Sequence, residues 1–138
     1  PKGIWFLFQL RVGLSPLKYH KWEHNFNDTS SNTCSCNTGV ENIKHYLLDC
    51  PLFEIQRIHL LTNVRLILNK YNLENKENES NLYLYGISSL HTSDNKNILL
   101  STIKYLKETK RFASEGFPWM GSRSQNSYSF NFVVVIFG

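Results

Sequence analysis

All three cysteines of the chain lie in one short segment, together with a single histidine. The order is cysteine, one residue, cysteine, eight residues, histidine, four residues, cysteine, which gives the set Cys34, Cys36, His45 and Cys50. Three cysteines cannot all pair as disulfides, whereas three thiolates and one imidazole complete a tetrahedral zinc site. The spacing therefore predicts that these four side chains bind one Zn²⁺.

Two local elements must position these ligands. A Cys-x-Cys pair can present two sulfur atoms from one tight turn, and Gly39 supplies turn chemistry just after it. His45 and Cys50 are five residues apart, which in a regular α-helix places them about 140° apart around the axis. The helix predicted from about Val40 to Asp49 must therefore loosen near its end, where Pro51 disfavours helical geometry in the residue before it.

Nearby charges could support such a site. Three thiolates and a neutral imidazole on Zn²⁺ carry a net negative charge, which Lys44 and Arg57 could offset, and Asp49 could orient the imidazole. The alternative is that no metal is involved. Cys50 would then be a small core residue, and His45 would hydrogen-bond some polar group.

A second histidine pair, His20 and His24 in the sequence HKWEH, has the four-residue spacing of zinc proteases. In those enzymes the glutamate that acts as general base directly follows the first histidine. Here Glu23 stands before the second histidine instead, on another side of the helix. We therefore predict that the pair is neither catalytic nor metal-binding, and that both side chains are exposed or half-buried.

The net charge of +4 and the isoelectric point of about 9.0 permit contact with nucleic acid without requiring it. Basic and aromatic residues alternate in LKYHKWEHNF, although a solvated helix face would give the same mixture. Tyr19, Trp22 or Tyr46 could stack on unpaired bases. The candidate nucleic-acid-binding residues are Lys18, Lys21, Trp22, Lys44 and Arg57.

Hydrophobic residues recur at helical spacing from about Gly3 to Phe112, which predicts an all-α domain of four or five helices within residues 1–112. The longest helix is expected to begin at or near Pro51. Ser15 with Pro16 predicts the start of another helix, and Ser93 or Asp94 the cap of the last. Residues 113–138 lose the helical period, and we expect an unstructured or extended tail there.

The opening GIWFLFQL is too short to span a bilayer and lacks a cleavage site after it. We therefore expect an intracellular protein of the nucleus or cytoplasm with no membrane partner, in which free or metal-bound thiols are favoured over disulfides. The chain begins at Pro1 rather than methionine, so we expect a fragment of a longer protein.

Several segments resemble the C-terminal region of non-LTR retrotransposon reverse transcriptases. The resemblance runs from about Gly3 to Phe112, and it is most specific over residues 34–57. It rests on these positions: Leu10 to Gly13, Ser15, Cys34, Cys36, His45, Cys50, Pro51 and Arg57. It implies a zinc-knuckle-like module, at residues 34–50, that helps the parent protein bind its RNA or the target DNA. The sequence beyond Phe112 departs from that family.

The polymerase's paired-aspartate motif and any endonuclease carboxylate cluster are missing from this sequence, so we expect no enzymatic activity. Three interpretations remain open. The chain is a nucleic-acid-binding zinc module, a zinc-stapled helical domain that binds proteins, or a retroelement relic without function. Binding through phosphates weakens steeply as salt rises, which separates the first interpretation from the second.

Overall fold

The computed structural model describes residues 2–112, most of which are helical. Five α-helices follow one another: α1 (Lys2–Val12), α2 (Lys18–Glu23), α3 (Glu54–Lys70), α4 (Ser80–Tyr85) and α5 (Thr92–Glu108). Single helical turns of other types lie at His45–Asp49 (π), Pro51–Phe53 and Glu74–Lys76 (both 3₁₀). Residues 2–112 contain no β-strand, and the predicted all-α class is confirmed. The expectation for residues 113–138 lies outside the described residues.

Helix α5 is the centre of the packing, because α1, α3 and α4 all contact it. Its buried side chains include Leu99, Ile103 and Leu106, which repeat at helical spacing as the sequence predicts. Close approach of α1 requires a glycine. A Cβ atom at Gly3 would lie 2.5 Å from Ile103 Cγ2, so a larger residue there would push the two helices apart. No described helix is both long enough and apolar enough to cross a lipid bilayer.

Gly13 ends α1 as predicted. Its φ of 74° is in the left-handed region that favours glycine. The Gly13 amide donates to Leu10, and the Leu14 amide donates to Gln9, which is the Schellman pattern of helix termination. The chain then turns toward α2 and the cysteine segment.

The predicted start of the second helix is displaced. Helix α2 begins at Lys18, not at Ser15. The Ser15 oxygen accepts a hydrogen bond from the Leu17 amide at 3.3 Å, and the same hydroxyl contacts His20 Nδ1 at 2.7 Å. The helix ends at Glu23, and its Trp22 is 47% exposed.

The cap of α5 is His91, not Ser93 or Asp94. The His91 Nδ1 atom accepts a hydrogen bond from the Ser93 amide at 3.3 Å. Asp94 instead accepts hydrogen bonds from Lys70 and Tyr71 at the end of α3. Asp94 therefore ties α3 to α5.

Pro51 begins a 3₁₀ turn that continues directly into α3, which confirms the predicted start of a long helix. Helix α3 is 17 residues long, the same length as α5. Its buried face carries Leu60, Val64 and Leu68, as the sequence predicts.

Candidate metal centre

A small hairpin-like loop presents the first two cysteines. Thr33 and Val40 form an isolated antiparallel bridge, and the Cys34 amide donates to the Gly39 carbonyl at 2.8 Å. Inside the loop the Asn37 amide donates to the Cys34 carbonyl at 2.9 Å, and Asn37 has a φ of 60°. Asparagine tolerates this left-handed conformation better than most residues, so the sequence suits the turn. The loop places both sulfur atoms on one side.

A widened helical turn presents the other two ligands. The Asn42 side chain accepts from the His45 amide at 2.8 Å and so caps the start of the turn. At the other end the Cys50 amide donates to the His45 carbonyl at 2.7 Å, a bond between residues five apart. This π-type bond closes a turn over five residues rather than four, and it returns Cys50 to the side of His45. The predicted loosening of the helix near Asp49 is therefore confirmed.

The four donor atoms all lie within 4.8 Å of one another. Cys34 Sγ is 3.7 Å from Cys50 Sγ, and Cys36 Sγ is 3.3 Å from His45 Nε2. Sulfur ligands at about 2.3 Å from a tetrahedral metal ion are about 3.8 Å apart, and a sulfur–nitrogen pair is slightly closer. Cys34, Cys36, His45 and Cys50 therefore form a group that could hold a metal ion.

The three thiols are in different environments. Cys34 and Cys50 are buried, and burial raises the pKa of the Cys34 thiol to about 12 and raises the pKa of Cys50. Cys36 is on the outer side of the cluster. The Thr38 hydroxyl, 3.0 Å from its sulfur, lowers the pKa of the Cys36 thiol to about 6. A metal ion would displace the remaining thiol protons, because thiolates are the ligating form.

The imidazole of His45 is 7% exposed, and its Nε2 atom faces Cys36. Its other edge lies over Gly39, where a Cβ atom would be 3.4 Å from His45 Nδ1. Glycine at this position therefore leaves room for the ring beside the loop. Asp49 does not orient the imidazole, because its carboxylate pairs with Lys44 Nζ at 2.8 Å on the surface.

Arg57 supports the widened turn from α3. Its Nη2 donates to the Cys50 carbonyl at 2.6 Å, and its Nε donates to the Leu47 carbonyl at 3.0 Å. These carbonyls lie where the helix ends, and the Cys50 carbonyl also accepts from the Phe53 amide at 3.3 Å. Arg57 is only 8% exposed, so it brings positive charge near Cys50 while its Nε and Nη2 are bound to backbone carbonyls. This burial leaves little of Arg57 on the surface for contact with nucleic acid.

A buried carboxylate, which the sequence did not single out, lies behind the loop. Glu41 is 2% exposed, and its Oε2 lies 3.9 Å from Cys34 Sγ. Arg111 donates to both of its oxygens, at 2.8 and 2.5 Å, and the Lys18 amide donates at 2.8 Å. Burial alone would raise the pKa of Glu41, but the hydrogen bonds and charge of Arg111 lower it below its ordinary value. Residues 70 positions apart form this pair, and no local sequence pattern marks it.

The other predicted nucleic-acid residues lie on or near the outer side of the cluster. Lys18 Nζ is 3.4 Å from the Ser35 hydroxyl between the first two cysteines, and Lys21 Nζ pairs with Asp28 at 3.0 Å. Trp22 is exposed, whereas Tyr46 is fully buried and cannot stack on a base. A surface cavity of about 280 Å³ lies beside them. Its lining residues are Pro16, Lys18, Lys21, Asp28, Thr29, Ser30, Ser31 and Arg111.

The histidine pair on α2 is separate from this cluster. His20 is 4% exposed rather than half-buried or exposed, and His24 is exposed. Burial lowers the pKa of His20 to about 4, so the ring is neutral at pH 7. Its Nδ1 contacts the Ser15 hydroxyl and amide, which places His20 in the packing between α1 and α2.

Comparisons of the chain with protein-family models, with curated proteins and with solved structures find no match.

Proposed function

We propose that this chain is a zinc module that binds single-stranded nucleic acid, and that it derives from a retrotransposon reverse transcriptase. The observation that carries the proposal is the convergence of Cys34, Cys36, His45 and Cys50 near a helix that carries two half-buried lysines and an exposed tryptophan. No catalytic residue is assigned.

Zinc is the proposed metal because of the ligand chemistry. Three sulfur donors and one imidazole nitrogen are the ligand set of structural zinc sites, and soft thiolates disfavour Mg²⁺ and Ca²⁺. All four positions are filled by protein side chains, so no open position is left for a substrate. The ion would have a structural role, because it would hold the Cys34–Cys36 loop against the turn that carries His45 and Cys50.

Nucleic-acid binding is supported by what surrounds the loop. Lys18 contacts Ser35 within the loop, so fixing the loop also fixes one cation. Trp22 lies one helical turn further along α2 and exposes almost half of its surface, 47%. A cationic surface beside an exposed aromatic ring is the arrangement that binds the backbone and stacks a base of a single strand. Lys44 adds a charge on the far side, although Asp49 partly neutralises it.

The expected affinity is low. A net charge of +4 supports only a few phosphate contacts, so binding is expected in the range of non-specific complexes, on the order of 10⁻⁴–10⁻⁶ M at physiological salt. The affinity is expected to fall as salt rises, because each phosphate contact releases a counterion.

The test is a titration of the zinc-loaded protein with fluorescent single-stranded RNA at several salt concentrations, with and without a chelator. Lys18→Ala is expected to weaken binding and reduce the salt dependence, and Trp22→Ala to weaken binding at all salt concentrations. Matched controls are Lys104→Ala on α5 and Tyr85→Ala on α4, which change an exposed lysine and an exposed aromatic residue elsewhere. No binding at low salt by folded, zinc-loaded protein would reject the proposal in favour of a protein-interaction domain.

A further inference from the structure

The outer face of α3 is apolar, although nothing in residues 2–112 covers it. Ile55 is 69% exposed, Ile58 is 56% exposed and Leu66 is 65% exposed. At 3.6 residues per turn, these residues fall within an arc of about 80° that also contains the polar residues Thr62 and Asn69. This arc is almost diametrically opposite the buried residues Leu60, Val64 and Leu68, and we call it the outer stripe.

A helix that is apolar on two opposite faces differs from an ordinary surface helix, which carries one apolar stripe and one polar face. Single exposed apolar residues are common, but three large aliphatic side chains on one face of a helix are a candidate site of interaction. Leu52 extends the row before α3 and is 56% exposed.

We propose that the outer stripe is the interface of a homodimer in which the α3 helices of two copies pack antiparallel. In such a pair the two-fold axis crosses α3 at the height of Leu60 along the helix. Residues of the outer stripe whose numbers sum to about 120 then face each other. Ile55 then faces Leu66 of the second copy, and Ile58 faces Thr62. The apolar residues meet one another on both sides of the axis, as an isologous interface requires.

The charges beside the stripe favour this arrangement. Glu54 and Arg65 are both exposed and both flank the same edge of the stripe. In the antiparallel pair, Glu54 of each copy faces Arg65 of the other, which makes two attractive contacts per dimer. Arg65 already donates through Nε and Nη2 to Glu77. Its side chain is 51% exposed, and its remaining guanidinium hydrogens can donate to a second carboxylate.

The opposite edge of the stripe borders a groove of about 400 Å³ between α3 and α5, lined on its apolar part by Leu66, Ile67 and Leu100. Leu52 lies on this same edge by helical spacing. In the antiparallel pair, Leu52 of each copy therefore lies beside the groove of the other copy, which offers it apolar neighbours.

One helix pair buries less than the roughly 800 Å² per partner that is typical of stable complexes. The dimer is therefore expected to be reversible and concentration-dependent. The dimer involves none of the metal-cluster residues and none of the proposed nucleic-acid residues. Its test is therefore independent of the test of the proposed function.

The experiment is sedimentation velocity of the zinc-loaded full chain over a series of protein concentrations. The wild-type chain is expected to shift from monomer to dimer as its concentration rises. Glu54→Arg alone and Arg65→Glu alone each place like charges at both contacts, and each is expected to weaken the dimer at least tenfold. An equimolar mixture of the two variants restores opposite charges at both contacts, and it is expected to dimerise again.

Glu74→Arg is the matched control, because it makes the same charge change at an exposed position outside α3. Its dimerisation is expected to equal that of the wild-type chain. A wild-type chain that stays monomeric up to the highest soluble concentration would overturn the proposal. So would dimers that are unaffected by either variant, or a mixture that dimerises no better than its components.

Discussion

Substitution of the four cluster residues is expected to have different effects on metal binding, because the residues differ in burial and in backbone hydrogen bonds. Cys36 is on a partly exposed loop, whereas Cys34 and Cys50 are buried and 3.7 Å apart. Cys50 also ends the widened turn through its amide bond to His45. Loss of its sulfur removes a ligand at the buried side of the cluster, where solvent cannot substitute for it.

Cys50→Ala is therefore expected to abolish stoichiometric zinc binding. Purified wild-type protein should contain about one zinc ion per chain, and the variant close to none, by elemental analysis. The matched control is the double change of His20 and His24 to alanine, which removes two histidines outside the cluster. Zinc content that fell in the double variant and persisted in Cys50→Ala would show that the wrong ligands have been identified.

The buried imidazole of His20 should make the free energy of unfolding depend on pH. Its pKa is lowered by burial from 6.5 to about 4 in the folded chain. The unfolded chain therefore binds the proton first, and the stabilising contribution is complete above pH 6.5 and is lost as pH falls toward 4. At about 1.4 kcal/mol per pKa unit, the loss is on the order of 2–3 kcal/mol.

Denaturant unfolding of His20→Gln and His24→Gln between pH 7.5 and 4.5 checks this contribution. Protonation of metal ligands affects both variants alike, so the difference between them isolates His20. The stability of His20→Gln is expected to fall less steeply with decreasing pH than that of His24→Gln. Parallel curves would contradict the assignment of a buried neutral imidazole.

At the scale of elements, the sequence predicted those features that arise from local chemistry. The end of α1 at Gly13 follows from the freedom of glycine at positive φ, and the buried face of α3 follows from its period. The need for a widened turn before Pro51 followed from the mismatch between helical geometry and the five-residue spacing of His45 and Cys50. These features depend on residues close together in the chain.

Features that depend on competition between partners were not predictable. Ser15 has the chemistry of a helix cap and its oxygen accepts from the Leu17 amide, but its hydroxyl also contacts the buried His20 and the regular helix starts only at Lys18. Asp94 was a candidate cap, but Lys70 and Tyr71 from α3 hold its carboxylate while His91 caps α5. A local pattern cannot show which of two acceptable hydrogen bonds is made when one partner is brought in by tertiary packing.

Replacement of Arg57 tests how α3 supports the widened turn. Arg57→Leu removes the charged donor from the Leu47 and Cys50 carbonyls. The Cys50 carbonyl keeps the Phe53 amide, whereas the Leu47 carbonyl is left unsatisfied, which costs about 1–3 kcal/mol. The free energy of unfolding should fall by about that amount, and zinc should be released to a competing chelator at lower chelator concentrations. Denaturant unfolding and chelator competition measure the two effects.

Lys76→Leu is the control, because its pair with Glu79 is exposed, lies outside the proposed dimer contact and should contribute no more than about 1 kcal/mol. If both variants lost the same stability and the same zinc affinity, Arg57 would have no special role in holding the turn.

At the scale of the whole molecule, the cluster is joined to the end of the helical domain by one buried ion pair. Glu41 lies behind Cys34, and Arg111 follows α5 and also donates to the Pro16 carbonyl. The pair thus connects the loop, the start of α2 and the end of α5. Disorder in any one of them would expose or unpair a buried charge.

Arg111→Leu leaves the Glu41 carboxylate buried without its main partner, and removing one partner of a buried pair costs about 3–5 kcal/mol. The variant is expected to lose about 3 kcal/mol in denaturant unfolding. Lys44→Leu, which breaks the exposed pair with Asp49, is expected to change stability by less than about 1 kcal/mol. Equal losses in the two variants would contradict a structural role for the buried pair.

Zinc K-edge X-ray absorption of the zinc-loaded protein tests whether Cys34, Cys36, His45 and Cys50 together bind one zinc ion. We expect three sulfur atoms at about 2.3 Å and one nitrogen at about 2.0–2.1 Å from the ion. A shell made only of nitrogen and oxygen atoms, or a protein that retains no zinc after purification and reconstitution, would contradict this expectation.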